Sequence, residues 1–291
     1  LQIDNMNIRN ITLGSDPEFL AIDENGTPKS AVGFIPGTKK EPFPLTENGE
    51  YSIQIDNVGV EGCVPPTRTK EEFINSIITI KKLANAKLQE TQPSWKIVSS
   101  SSSRFEKEEL DSDTARQFGC EPSICVYTQD VSPRPSPDEV GNLRSFGFHI
   151  HIGFECDGNP ITSLERIIKG MDIFCGVGSI LIDSDNDRRN IYGNAGDMRF
   201  RYLDNGITIV EYRTLGGAMS RNEEIIGWCY DRTMDAINAA NNWTSELEDL
   251  AEKAKLIIDK GNDVAATEFI KNLNIQIPNE IFENKKQTSI A

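Results

Sequence analysis

Phe148-His149-Ile150-His151-Ile152-Gly153-Phe154 is the stretch on which the reading of this chain turns. Successive side chains of a strand point to opposite faces. Both imidazoles therefore share one face, and Phe148, Ile150, Ile152 and Phe154 share the other. These are the two histidines of the whole chain. An ordinary amphipathic strand with an exposed histidine pair is the plain structural reading; the placement of every imidazole side by side favours a functional face.

Three acidic segments alternate in the same way. Gly14-Ser15-Asp16-Pro17-Glu18-Phe19-Leu20-Ala21 sets Asp16 and Glu18 on one face of a strand. Ile53-Gln54-Ile55-Asp56-Asn57-Val58-Gly59-Val60-Glu61 ends in an acid among small and apolar residues. Ile207-Thr208-Ile209-Val210-Glu211-Tyr212-Arg213 sets Glu211 and Arg213 on one face, where a structural ion pair is an equal reading. Buried carboxylates cost several kcal/mol unless they pair or bind a cation. Acids from several strands with one or two histidines, and no cysteine set, suit hard cations such as magnesium or manganese.

Between these segments lies Asp187-Arg188-Arg189-Asn190-Ile191-Tyr192-Gly193-Asn194-Ala195-Gly196-Asp197-Met198-Arg199-Phe200-Arg201. The chain carries a formal net charge of −15, so this concentration of arginine stands out. Guanidinium forks match phosphate oxygens and neutralise charge in phosphoryl transfer. A solvated basic loop paired with acidic neighbours is the alternative.

Working outward, residues 11–64 read as strands broken by turns at Glu24-Asn25-Gly26 and Glu47-Asn48-Gly49. Residues 70–90 carry apolar side chains at helical spacing, Ile97-Val98 is a short strand, and the serine run from Ser99 with the acidic stretch to Asp113 is a loop. A proline-rich loop covers residues 131–138. Strands are expected at 145–154 and 206–215, and helices at 163–182, 222–260 and 264–273. The class is α+β, an antiparallel sheet interrupted by long helices, without βαβ alternation. Neither a dinucleotide fingerprint nor a P-loop occurs.

With 291 residues the chain reads as a single domain over 1–291, its chemistry in residues 14–217 and a helical C-terminal extension over about 222–291. The negative charge argues against general nucleic-acid binding. No stretch is apolar enough for a membrane span, and Leu1-Gln2-Ile3-Asp4-Asn5 does not begin a signal peptide. The six cysteines are read as free thiols, Cys120 and Cys125 lacking the partners of a zinc site. The expected location is the cytoplasm (the host's, if the chain is phage-encoded).

The motifs Gly-x-Asp-Pro-Glu-Phe, Asp-Asn-x-x-x-Glu, Phe-Gly-Cys-Glu-Pro-Ser, Gly-Phe-His-Ile-His-Ile-Gly, Arg-Arg-x-x-Tyr-Gly-x-x-Gly-x-x-Arg and Glu-Tyr-Arg, in this order, resemble the phage-type (type 2) carboxylate–amine ligases. These are relatives of glutamine synthetase and glutamate–cysteine ligase. The segment 31–44, with Ile35-Pro36-Gly37-Thr38-Lys39-Lys40-Glu41-Pro42, is similar to that branch too. The resemblance implies a glutamine synthetase-like catalytic domain, a curved antiparallel sheet forming a funnel with flanking helices. It implies ATP and two or three Mg2+ or Mn2+ ions as cofactors. It implies metal ligands at Asp16, Glu18, Glu61, Glu121, His149 and Glu211. His151, Arg189, Tyr192, Arg199 and Arg213 are implied to meet the nucleotide, with Arg188 and Arg201 close enough to exchange roles with their neighbours. Arg199, Arg213 and Glu61 are the implied catalytic residues. Asp16-Pro17-Glu18 departs from the Glu-x-Glu of many relatives, and no small N-terminal β-domain precedes it, so an oligomer is possible but not by that domain's route.

The expected reaction is ATP-driven activation of a carboxylate to an acyl phosphate, followed by attack of an amine, on small-molecule or peptide substrates. A metal-dependent amide hydrolase and a non-catalytic phage binding or structural protein are the alternatives.

Overall fold

The computed structural model describes residues 6–116, 122–132 and 136–278. Among them, ten strands form one antiparallel sheet. With the separate pair β7 and β9, the twelve strands are β1 (Arg9–Ile22), β2 (Pro28–Lys29), β3 (Phe43–Pro44), β4 (Ser52–Asp56), β5 (Gly59–Cys63), β6 (Lys96–Val98), β7 (Ser102–Arg104), β8 (Ile124–Cys125), β9 (Leu143–Ser145), β10 (Phe148–Glu155), β11 (Asp197–Tyr202) and β12 (Thr208–Tyr212). The order across the sheet is β3-β4-β5-β1-β10-β12-β11-β8, with β2 and β6 also on β1; β7 and β9 pair separately. The long β1 is the hub, its first half pairing with β10 and its second half with β5.

The period-2 pattern sorts this sheet into two faces. Phe19, Ile53, Val60, Phe148, Ile150, Ile152, Val210 and Tyr212 are fully buried on one side. The helices Pro160–Met171, Glu223–Asn241 and Ser245–Lys260 pack there through Leu164, Ile167, Ile225, Ala251 and Ile258. The helix Lys70–Gln89 starts with a capping box, Thr69 against Glu72, and covers the β4–β5 end with Ile80, Ala84 and Leu88. The α+β class and the antiparallel sheet with flanking helices are as expected.

Four expectations differ, the first being the loop from Ser99 to Asp113, which holds strand β7 and a 3-10 helix at Lys107–Leu110. The helix expected over 222–260 is two helices, because Asn242 ends the first and the Thr244 hydroxyl caps the second by accepting from Leu247 N–H. The helix expected over 163–182 contains a π-helical segment, Asp172–Gly176, where Tyr212 reaches in from the sheet. The arginine-rich stretch is no single loop. Arg188 and Arg189 end a short helix, Asn186–Arg189, Gly193 and Gly196 take left-handed φ values of 78° and 75°, and Arg199 and Arg201 lie on β11. Residues 133–135 of the proline-rich loop lie outside the described residues. Cys63, Cys125, Cys156, Cys175 and Cys229 are free thiols. No helix among the described residues is long and apolar enough to cross a membrane.

Candidate active site

Register brings the polar residues into one row across the sheet. Glu61 on β5 faces Glu18 on β1, and two residues back along β1 Asp16 faces His149 on β10. Two residues further along β10, His151 faces Glu211 on β12, which faces Arg199 on β11. Cross-strand partners share a face, as do residues two apart, so five strands deliver seven polar side chains to the face opposite the core.

At the centre, His149 Nδ1 lies 3.1 Å from Asp16 Oδ1 and 3.4 Å from Glu211 Oε1. One ligand atom from each of Asp16, His149 and Glu211 falls within 4.8 Å of the others, a spacing that a single cation could bridge. His151 Nε2 sits 3.3 Å from the same Asp16 oxygen without hydrogen-bond geometry. Burial works to raise the Asp16 pKa, but the imidazoles of His151 and His149 outweigh it and hold the carboxyl well below its ordinary value. Burial likewise works to lower His151, and the Asp16 carboxylate outweighs it, so that pKa is raised.

At the other end of the row burial prevails. Glu61 is buried and its Oε2 has no hydrogen-bond partner. Burial, then the charges of Asp16, Asp56 and Glu18, push its pKa well above the carboxylate range. Glu18 is also raised, chiefly by burial, although Gly147 N–H donates to its Oε2 at 2.6 Å. A buried, under-satisfied oxygen among carboxylates is a place that calls for a cation. The donor set of carboxylate oxygens and one imidazole fits Mg2+ or Mn2+.

Two hollows flank the row. One, of about 40 Å³, has room for a few water-sized spheres and is lined by Glu18, Asp56, Arg144, His149, Tyr192 and Arg213 among others. The other, a cleft of about 310 Å³, is lined by His151, Arg199, Phe200, Arg201, Ile209 and Glu211. Asp16 Oδ1 lies 3.1 Å from His149, which lines the first, and 3.3 Å from His151, which lines the second.

Not every expected residue arrives here. Arg213 is buried, and its Nη1 contacts Glu211 Oε1, while Arg199 Nη1 lies 3.9 Å from Glu211 Oε2. Arg201 and Tyr192 each line a hollow. The buried Arg188 lines the first hollow and donates to the carbonyls of Phe146, Thr214 and Arg213, holding backbone together at its wall. Arg189 donates to the carbonyls of Asp183 and Asp185 and lines neither hollow. Glu121 lies outside the described residues. Sequence reading passed over Asp56, Arg144 and Gly147. Asp56 carried a signal, since it shares the period-2 face of Gln54 in a segment already singled out. Arg144 carried none, because two of its acceptors, Asn57 Oδ1 and the Ala115 carbonyl, come from far along the chain. A Cβ on Gly147 would run into Nε2 of His149, so glycine is needed there to let the ring lie where it does.

No protein-family model matches the chain, and no curated protein matches it either. Among solved structures it is similar to GmaS in a complex with ADP, at 12% identity and a TM-score of 0.41, over 98% of this chain and 74% of that one. It is similar to a bifunctional glutathione synthetase from Pasteurella multocida, at 10% identity and a TM-score of 0.42, over 91% of this chain and 49% of that one. It is also similar to glutamine synthetase from Plasmodium falciparum, at 8% identity and a TM-score of 0.38, over 79% and 52%. The chain spans about half the length of the last two. At such scores, what the site does rests on its own geometry.

Proposed function

We propose that this chain is an ATP- and magnesium-dependent carboxylate–amine ligase, of the phage-type branch that its six motifs resemble. The observation that carries the reading is the row Glu61–Glu18–Asp16–His149–His151–Glu211–Arg199, laid on one sheet face between two hollows. Asp16, Glu18, Glu61, His149 and Glu211 would hold the divalent ions. Such ions, when bound, neutralise charge on the phosphates of ATP.

The chain's own residues then divide the work. His151, Arg199 and Arg201 give the larger cleft a cationic lining suited to a phosphate chain. Arg213, beside Glu211 and lining the smaller hollow, is placed to hold the transferring phosphoryl group with a two-pronged guanidinium. In the proposed reaction the γ-phosphoryl group passes to the substrate carboxylate, giving an acyl phosphate and ADP. The amine attacks the acyl carbon, phosphate leaves, and the amine's proton is lost. Phosphate is the better leaving group, which is what ATP contributes.

The test is to incubate the protein with ATP, Mg2+ and pooled carboxylates and primary amines. ADP and phosphate should appear in step with an amide, and nothing should form without ATP. Amide cleavage without nucleotide would place the chain among metal-dependent hydrolases instead.

A further inference from the structure

The segment 31–44 does not contribute to the row of site residues, yet its turn reaches a residue that lines the smaller hollow. Thr38 and Glu41 exchange backbone hydrogen bonds, Thr38 N–H to Glu41 O at 3.0 Å and Glu41 N–H to Thr38 O at 3.1 Å, so Lys39 and Lys40 form the tip of a tight turn. The turn is fixed against β4. Ile55 N–H donates to the Gly37 carbonyl, and Gly37 adopts φ 93° at a point where a Cβ would run into the Ile53 carbonyl and lie 2.7 Å from Phe43 N. From that tip the Lys39 ammonium reaches Asp56, Nζ to Oδ1 3.0 Å.

Asp56 is no ordinary surface partner. Its side chain is 10% exposed against 42% for Lys39, and it lines the smaller hollow together with Glu18, Arg144 and Arg213. It lies on β4 two residues from Gln54, the cross-strand partner of Glu61, whose Oε2 is buried without a hydrogen-bond partner. A half-exposed primary ammonium from a surface turn thus rests on a nearly buried carboxylate at the wall of the hollow that holds the proposed phosphoryl-binding arginine.

We infer that Asp56 is the docking carboxylate for the amine substrate, that this substrate enters as a primary alkylammonium ion, and that Lys39 occupies the same place until the substrate displaces it. The identity of the docked ion as the acceptor rests on the ligase reading. The existence of the ammonium site does not. Lys39 is an intramolecular competitor, and an ion pair with one exposed member contributes up to about 1 kcal/mol, equivalent to about fivefold in apparent affinity. The turn also sets specificity. A tertiary or quaternary amine, with fewer N–H donors, is a poorer replacement for the lysine head than a primary one.

The experiment is calorimetric titration of n-butylamine, with n-butanol as the uncharged control, into the wild type, Lys39→Ala, Lys40→Ala and Asp56→Asn. Mg·ADP is titrated into all four proteins in parallel. Lys39→Ala should bind butylammonium about fivefold tighter than the wild type. Lys40→Ala, with the same change in net charge, should bind it as the wild type does. Asp56→Asn should bind it at least about tenfold more weakly while keeping Mg·ADP affinity. The inference is overturned if Lys39→Ala and Lys40→Ala behave alike, or if Asp56→Asn binds butylammonium unchanged. It is also overturned if Asp56→Asn loses Mg·ADP, which would assign Asp56 to the cation-binding set. A wild type that binds butylammonium in the predicted pattern but no Mg·ADP would keep the ammonium site and reject the ligase reading.

Discussion

Asp16 and His149 face each other across the β1–β10 ladder, with Oδ1 and Nδ1 3.1 Å apart. Each is also held from a second side, Asp16 by His151 and His149 by Glu211. His149 Nδ1 bridges the two carboxylates of the triad, and removing the ring breaks that bridge. His149→Ala should therefore weaken Mn2+ binding by at least about tenfold, the loss that even an outer partner of a metal site carries. Electron paramagnetic resonance titration of free Mn2+ measures it directly; unchanged affinity would place the cation elsewhere.

Gly147 acts on the same ring. Its N–H donates to Glu18, and its missing Cβ leaves room for His149 Nε2. Gly147→Ala should cost about 1–3 kcal/mol of stability through overpacking. It should also weaken Mn2+ binding about as much as His149→Ala does. Denaturant melts and the same resonance titration check both, and a variant that loses stability but keeps Mn2+ affinity would show that the ring can move aside freely.

Asp172 gives the fold a pH dependence remote from the site. It is fully buried and accepts hydrogen bonds from Tyr212 OH at 2.7 Å and Tyr127 OH at 2.9 Å. Burial outweighs these bonds and lifts its pKa from 3.8 to about 7. The folded state binds the proton more tightly than the unfolded chain does. The stability this contributes is full below about pH 4 and is lost as pH rises through about 7. Asp172→Asn removes the term. Urea melts of the wild type and the variant should show the wild type losing more stability between pH 4 and pH 7, by an amount on the order of a few kcal/mol. Parallel curves would mean that Asp172 is charged in the folded protein.

These residues show what a sequence makes visible. The paired His149 and His151, and the acids at Asp16, Glu18, Glu61 and Glu211, were legible because strand periodicity alone assigns them a face. The register that lines them up was not legible, because β1 pairs with β10 across more than 130 residues of sequence, as Asp16 with His149. Arg189 and Arg199 were both expected at the nucleotide, from one basic stretch. Two left-handed glycines turn the chain between them, leaving Arg189 on the carbonyls of Asp183 and Asp185 and Arg199 at the cleft. Asp172 gave no sign at all, since the tyrosines that satisfy it lie 45 and 40 residues away in sequence.

Arg213 separates scaffolding from chemistry. It is buried against Glu211, so Arg213→Lys keeps the charge but loses the planar fork in a place where water cannot compensate. Turnover measured as ATP-dependent ADP release should fall by about 10²–10³. Thermal melting should show the variant still folded. Near-normal turnover in a folded variant would make Arg213 a structural partner of Glu211 and nothing more.

The central claim is that the row of acids and His149 binds a divalent cation together with a nucleotide. Calorimetric titration of Mg·ADP into the wild type, Glu18→Ala and Glu211→Ala tests it most directly. The account predicts saturable, magnesium-dependent binding to the wild type and its loss in both variants, each still folded by circular dichroism. Undiminished Mg·ADP binding in both variants would contradict it.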